Sequence, residues 1–362
     1  MRRTTLALTS KLLYNDFANT RLIIMNREKS LNAIDLDMIN VMQQLYLHKP
    51  HPKGDAALYV LKGAGTKSFC AGGDVIAVSK SIALAEEFFY KEYQVNYRIL
   101  TMPNPQVSLW NGYVMGGGVG VSVHGRYRVA SEHALFAMPE TAIGMFPDVG
   151  ATWFLPRVKM EGLGLYLGLT GARLKGADLA HAGLATHYVP SASFAQLEER
   201  LCSIDDPART EACLEEFAVK DLPPFTLEPH RETLARIFAL EDTTTVEGIV
   251  EALSADGGEF ALQALKLLNQ MSPASLCVAL EMYRRGSKMT DPADAFQADF
   301  IGAMRCCVNP DSREGARALL IDKTKDPKWN PARLSDVTAE YVGAYFEPLG
   351  PQLRPWHPTK PF

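Results

Sequence analysis

Residues 104–157 read NPQVSLWNGYVMGGGVGVSVHGRYRVASEHALFAMPETAIGMFPDVGATWFLPR. An apolar run, Gln106 to Trp110, opens the stretch and predicts a buried strand. The triplet Gly116–Gly118 then leads into small residues as far as His124. Two short strand-like runs follow, Tyr127–Ala130 and Ala134–Met138. Beyond them stand two acids, Glu140 and Asp148, each directly after a proline.

Three adjacent glycines allow backbone conformations closed to residues with a Cβ, and they admit a ligand close to bare N–H groups. If a helix starts here, its first amides have no internal partner and favour negative charge. Such donors suit an oxyanion hole, where N–H groups meet charge that develops in a transition state. A tight turn with close packing accounts for the triplet equally well. Pro139 and Pro147 bias the residue before each toward extended geometry, which predicts that both acids sit on ordered loops past strand ends. Two acids buried near each other would raise at least one pKa. One then serves as base, the other as acid or hydrogen-bond donor. The plainer alternative has Asp148 capping a turn and Glu140 in a structural ion pair.

On the N-terminal side, Arg21–Asn26 and Ala57–Lys62 read as buried strands. Asp35 is placed to cap a helix that carries Ile39, Met42 and Leu45 on one face. The loop GAGTKSFCAGGD (63–74) resembles a phosphate loop, but Thr66 stands where glycine should precede Lys67. The glycine triplet likewise fails GxGxxG, so neither nucleotide motif is satisfied. Asp74 reads as a helix cap. Residues 83–100 predict a helix with Phe88, Phe89, Tyr93 and Tyr97 as packing residues. Glu92 on that helix reads, by pattern alone, as an exposed glutamate.

On the C-terminal side, the chain turns helix-rich and polar from about residue 198. LPPFTLEPH (222–230) breaks two helices, and Ser272-Pro273 predicts a cap and first-turn proline. GVSVH (120–124) falls short of the GxSxG nucleophile elbow because His124 takes the last position. His124 is also only two residues from Ser122, a poor spacing on a helix.

The chain has 362 residues, 47% hydrophobic and 22% charged. That is enough for a large core and two lobes. A net charge of −4 offers no basic field for nucleic acid. No run reaches the roughly 18 apolar residues of a membrane span. Six cysteines, none in a CxxC pair, argue for a reduced compartment and against zinc. The first fifteen residues carry Arg2, Arg3 and Lys11 with no acid before Asp16, a composition that fits a mitochondrial presequence. Leu6–Leu13 is equally readable as part of a first strand.

Five blocks together resemble the crotonase (enoyl-CoA hydratase/isomerase) superfamily: SLNAIDLDMI (30–39), SFCAGGDV (68–75), YVMGGGVGVSVHG (113–125), FAMPETAIGMFPDVG (136–150) and REGARALLIDKTKDPKWNP (313–331). The resemblance implies an α/β fold: a crotonase (ClpP-like) ββα spiral over residues 1–197, followed by a helical region over 198–362. It implies oxyanion donors at Gly73 and Gly117, with Ala71 against the adenine of CoA and Glu92 facing the substrate. It also implies Glu140 and Asp148 as the catalytic pair. Typical hydratases of the superfamily carry a glutamate two residues after the triplet, where this chain has Gly120, and usually glycine where it has Asp148. That exchange resembles the 3-hydroxyisobutyryl-CoA hydrolases of the superfamily and implies thioester hydrolysis in valine catabolism, in mitochondria. Arg27 and Lys29 are candidates for the CoA phosphates. CoA is part of the substrate, so no separate cofactor or metal is expected. The expected partners are an acyl-CoA and, in a superfamily that often trimerises, other copies of the chain. Two other readings stay open: a hydratase or isomerase, and a non-catalytic ribosome-associated relative.

Overall fold

In the computed structural model, residues 6–7, 10–49, 51–78, 80–348, 350 and 353–362 are described. Arg2 and Arg3, which carry the presequence reading, lie outside them. Residues Leu6–Ala7 (β1) and Leu12–Asp16 (β2) are strands.

The remaining strands are Thr20–Met25 (β3), Leu58–Gly63 (β4), Ser68–Cys70 (β5), Gln106–Trp110 (β6), Tyr113–Met115 (β7), Tyr127–Ala130 (β8), Leu135–Ala137 (β9), Leu174–Lys175 (β10) and His187–Tyr188 (β11). One sheet has the order β1-β2-β3-β4-β6-β8-β11, and the other β10-β9-β7-β5. From β3 to β11 the larger sheet is parallel. Parallel strands buried on both faces need continuous apolar runs, and RLIIM and LYVL supply them. Leu22, Val60, Leu109 and Val129 from these strands share one core with Leu197, Leu201 and Leu214.

The chain repeats a pattern. A strand of the larger sheet is followed by a short strand of the smaller one, then by a helical segment. β4 and β5 lead to helices at Val75–Val78 and Ile82–Thr101. β6 and β7 lead to Gly117–Val123, and β8 and β9 lead to the tight turn Glu140–Ile143. This is the ββα winding expected from the resemblance. Gly73, Gly117 and Glu140 each follow a strand of the smaller sheet in successive repeats.

The chain divides into two compact units, each discontinuous in sequence. The first comprises residues up to Asp74, Gln94–Phe136 and Leu174–Thr226, and holds both sheets except Ala137. The second comprises Val75–Tyr93, Ala137–Arg173 and Leu227–Phe362. Its main helices are Pro273–Lys288, Pro292–Val308 and Pro310–Ala316. Ser272 caps the first of these, its hydroxyl accepting from the Ser275 amide at 3.1 Å. Asp35 caps the helix Leu36–Gln43 in the same way, at 3.0 Å from the Met38 amide. Below, α1 is Leu36–Gln43, α2 is Ile82–Thr101, α3 is Gly117–Val123, α4 is Pro273–Lys288, α5 is Pro292–Val308 and α6 is Pro310–Ala316.

Candidate active site

The first unit offers a pair of backbone donors. Ile34 donates to Gly72 O at 2.9 Å, and Asp74 donates to Ile34 O at 2.7 Å. These bonds straddle Gly73, so the bridge leaves its own amide unused. Gly117 is the first residue of α3. The amides of Val119 and Gly120 both return to Gly116 O, and that of Gly117, at the helix start, has no carbonyl one turn earlier to bond. Gly116 makes the entry possible with φ 48° and ψ −122°, a region essentially closed to residues with a Cβ. Gly118 lets α3 lie against the segment that carries Gly73: a Cβ there would sit 2.4 Å from Cys70 O. The structure thus brings the Ala71–Gly73 loop and the glycine triplet side by side.

Other residues of this unit are committed to structure. Arg27 donates to Ala33 O at 2.6 Å and to Asp74 at 3.0 Å. The expected phosphate role therefore falls on a guanidinium already held inside the protein. Asp74 pairs with that arginine. Ser122 donates to Gly118 O at 2.6 Å, so its hydroxyl closes a turn of its own helix.

The second unit gathers the acids. Glu140 opens the turn that follows β9, and Asp148 lies on the next loop. Glu92 sits on α2, in the part of that helix that belongs to this unit. All three are buried, at 2% exposure for Glu92, 7% for Glu140 and 5% for Asp148. The exposed-glutamate reading of Glu92 is therefore overturned. The face of α2 that carries Glu92 is the inner one. Among the described residues, Oε1 of Glu92 and Oε2 of Glu140 have no hydrogen-bond partner. Among the described residues no cation pairs with Glu140, so the ion-pair alternative also falls.

Tyr93 does more than pack. Its hydroxyl donates to Oδ2 of Asp148, and burial holds its own pKa well above the usual phenol range, so it stays a donor. Burial raises the Asp148 pKa to about 6, while the Tyr93 hydrogen bond pulls it down. Burial, then the charge of Asp148, pushes Glu140 well above the carboxylate range. Burial first, then Asp148 and Glu140, does the same to Glu92. Asp148 raises both glutamates and Glu140 raises Glu92, with no lysine or arginine among the causes. Such a group holds its protons to higher pH than ordinary carboxylates do.

Sequence reasoning missed Tyr93 as a polar group, and it missed Asp299 and Tyr283 altogether. Asp299 lies on α5, fully buried, and accepts from the Gly150 amide at 2.7 Å and the Thr152 hydroxyl at 2.5 Å. Tyr283 on α4 is buried, its hydroxyl without a partner among the described residues, and the charge of Glu140 adds to burial in raising its pKa. Both lie in a region whose sequence is ordinary amphipathic helix.

Comparison with known proteins fits this arrangement. Residues 20–346 match the Enoyl-CoA hydratase/isomerase family. The chain belongs to that family. Among its curated relatives is the mitochondrial 3-hydroxyisobutyryl-CoA hydrolase of Xenopus tropicalis, 43% identical over 340 residues, covering 91% of this chain and 86% of that one. The Homo sapiens protein of the same name is 43% identical, covering 91% and 87%. Among solved structures, a carnitinyl-CoA dehydratase from Mycobacterium thermoresistibile superposes with a TM-score of 0.87 at 34% identity, covering 96% of this chain and 99% of that one. An enoyl-CoA hydratase from Rhodobacter sphaeroides 2.4.1 gives a TM-score of 0.82 at 32% identity, covering 95% and 100%. This family member therefore has the crotonase fold. Among its described residues, no helix is long and apolar enough to cross a membrane.

Proposed function

We propose that this family member hydrolyses the thioester of 3-hydroxyisobutyryl-CoA to the free hydroxy acid and CoA. The curated relatives named for that activity support the reading over nearly the whole chain. Their names also give the compartment, the mitochondrion. The observation that carries the chemistry is the buried pair Glu140 and Asp148, both raised by burial and Glu140 further by the charge of Asp148, in a chain that has Gly120 where a hydratase would have its other glutamate.

Thioester hydrolysis needs a held oxyanion, an activated nucleophile and a proton for the leaving thiolate. The reading assigns the carbonyl oxygen to the amides of Gly73 and Gly117, and Ala71 to the adenine. Glu92, with an unsatisfied buried oxygen, takes the substrate hydroxyl or a neighbouring polar group. Glu140 and Asp148 share one proton. In the resting pair the proton sits on Glu140 and Asp148 is ionised; it passes to Asp148 as Glu140 acts on the carbonyl carbon, directly or through one water. The C–S bond breaks as the tetrahedral intermediate collapses, and the sulfur takes the proton from Asp148. In the direct route, water then adds to the Glu140 carboxyl carbon of the mixed anhydride; the acyl carboxyl leaves, one proton of the water goes with the hydroxy acid and the other to Asp148, and Glu140 is left ionised with one oxygen from water. CoA belongs to the substrate, and no further cofactor enters these steps.

The test compares hydroxyisobutyryl-, hydroxypropionyl- and crotonyl-CoA under steady-state conditions. Release of free thiol from the hydroxyacyl thioesters, with crotonyl-CoA largely untouched, is the expected result. Loss of enoyl absorbance without thiol release would make the chain a hydratase. Turnover in labelled water, followed by mass analysis of the peptide with Glu140, tells direct attack from base catalysis, because only the former leaves label on the side chain.

A further inference from the structure

Asp148 stands at the first corner of a four-residue turn. The amide of Ala151 donates to Asp148 O at 2.8 Å, closing it. The two central residues, Val149 and Gly150, have φ of 52° and 85°. Left-handed geometry at both positions defines the mirror-image type I turn, which Asn-Gly fills without strain. Glycine suits the second position here. Valine at the first does not, because a β-branched side chain crowds the backbone at positive φ.

A strained turn persists only where its surroundings over-determine it. Here the holding group is Asp299. Oδ2 accepts from the Gly150 amide at 2.7 Å, and Oδ1 accepts from the Thr152 hydroxyl at 2.5 Å. One carboxylate thus grips the second central residue of the turn and the residue just beyond its last corner. Each of its oxygens already accepts a hydrogen bond from the turn, whereas Oε2 of Glu140 accepts none among the described residues. Asp299 is also fully buried, and burial holds its carboxyl well above the usual range. A buried acid with no cation beside it among the described residues is a costly way to staple a loop, unless the position of that loop matters.

We propose that Asp299 is a positioning residue for the reaction. It pins the strained 148–151 turn through Gly150 and Thr152, and so keeps the Asp148 carboxyl on the Tyr93 hydroxyl. The role in turnover rests on the reading of Asp148 as part of the catalytic pair. The pinning itself does not.

Four variants test it: D299A, D299N, V149G and D299A/V149G. Asparagine keeps both contacts, its carbonyl accepting from Gly150 and its amide donating to the Thr152 oxygen. D299N is therefore expected to stay within about threefold of wild-type kcat, while D299A loses about 10- to 100-fold with little change in KM. D299A should also move the acid limb of the pH–rate profile upward, because Asp148 loses the hydrogen bond that favours its ionised form. V149G removes the strain that Asp299 restrains. Alone it should be close to wild type, and in the D299A background it should restore at least about fivefold of the lost kcat. Unchanged kcat and limb in D299A, equal damage from D299N, or no rescue by V149G would each overturn the proposal. If D299A does not fold, T152V takes its place. It removes one of the two grips, and the same upward shift of the limb is expected with a smaller loss.

Amide exchange reads the pinning without any turnover. The Gly150 amide should exchange at least about tenfold faster in D299A, or at least about threefold faster in T152V if D299A does not fold, than in wild type. Unchanged exchange overturns the pinning whatever the activity. A wild-type protein that releases no thiol from any acyl-CoA, with exchange at Gly150 accelerated in the variant, overturns the catalytic reading alone.

Discussion

The hydroxyl of Tyr93 donates to Oδ2 of Asp148, and both side chains are buried. A hydrogen bond to an ionised carboxylate is worth about 1.5–3 kcal/mol, against about 1 for a neutral pair. Burial raises the Asp148 pKa, and this donor lowers it more than the backbone hydrogen bond that acts in the same direction, so it helps set which member of the proposed pair ionises first. Asp148 titrates near 6, and Glu140 lies well above its ordinary range.

Tyr93→Phe removes that donor and leaves the ring packing against Phe89 and Phe296. The ionised form of Asp148 loses support, so its pKa rises by about 1–2 units. The acid limb of kcat/KM should move up from about 6 by that amount, and activity at pH 6 should fall more than activity at pH 8. A series of rates from pH 5 to 9 checks it. An unmoved limb would mean that Asp148 does not titrate in the step that limits kcat/KM.

The clustered acids make a second, thermodynamic prediction. Glu92 and Glu140 have folded-state pKa values raised above those of the unfolded chain, chiefly by burial. The folded protein therefore binds more protons than the unfolded one between those values. Their contribution to stability is fully present below the unfolded pKa and is lost as pH rises through the folded one. At pH 8 the wild type carries this cost, and glutamine at either position does not. Glu92→Gln and Glu140→Gln should each raise the melting midpoint by about 2–6 °C at pH 8. The gain should shrink toward zero near pH 4. Glu140→Gln should at the same time lose about 10²- to 10⁴-fold in kcat. Thermal melts at the two pH values and thiol-release rates measure both. A Glu140→Gln protein that hydrolyses normally would remove Glu140 from the reaction.

Much of this site was legible in the sequence. The motif blocks pointed to the Gly73 loop, the glycine triplet and the acids Glu140 and Asp148 as candidates, because short loops after strands carry their residues contiguously; the structure shows both acids buried. Strand limits came within a residue of those read from the apolar runs: Arg21–Asn26 against Thr20–Met25, and Ala57–Lys62 against Leu58–Gly63. What stayed hidden depended on tertiary context. Glu92 and Tyr93 lie on a helix whose apolar residues leave no clear polar stripe, so pattern alone could not tell an inward glutamate from an outward one. Asp299 acts on a residue 149 positions away. Its own neighbourhood, FQADF, reads as any amphipathic helix. A buried acid with distant partners leaves no local signature.

Ser122 separates this chemistry from a serine esterase. Its hydroxyl donates to Gly118 O and Val119 O within α3. Bonds of this i−4 kind contribute little to a helix. Ser122→Ala is expected to keep thiol release within about twofold and stability within about 1 kcal/mol. A loss of a hundredfold or more, with a normal melt, would mean that the serine and not Glu140 attacks the thioester.

Packing of α6 on the turn that carries Glu140 gives the last prediction. A Cβ at Gly315 would lie 2.4 Å from the Ile143 carbonyl carbon and 2.5 Å from its Cα. Those atoms are backbone, so they cannot swing aside as a long side chain would. Gly315→Ala must push the Glu140–Ile143 turn away from the helix or distort α6, at a cost of about 1–3 kcal/mol. The same displacement moves the Glu140 carboxyl, which has no partner on Oε2 to hold it in place. The expected result is a lower melting midpoint together with a kcat reduced about tenfold or more. Gly343→Ala is the control, since a Cβ there meets nothing within 4 Å and its φ of −55° suits alanine. It should hold or gain up to about 1 kcal/mol with unchanged kcat. If Gly315→Ala melts lower but turns over normally, the contact between α6 and the turn is structural only, and the C-terminal helices do not set the position of Glu140.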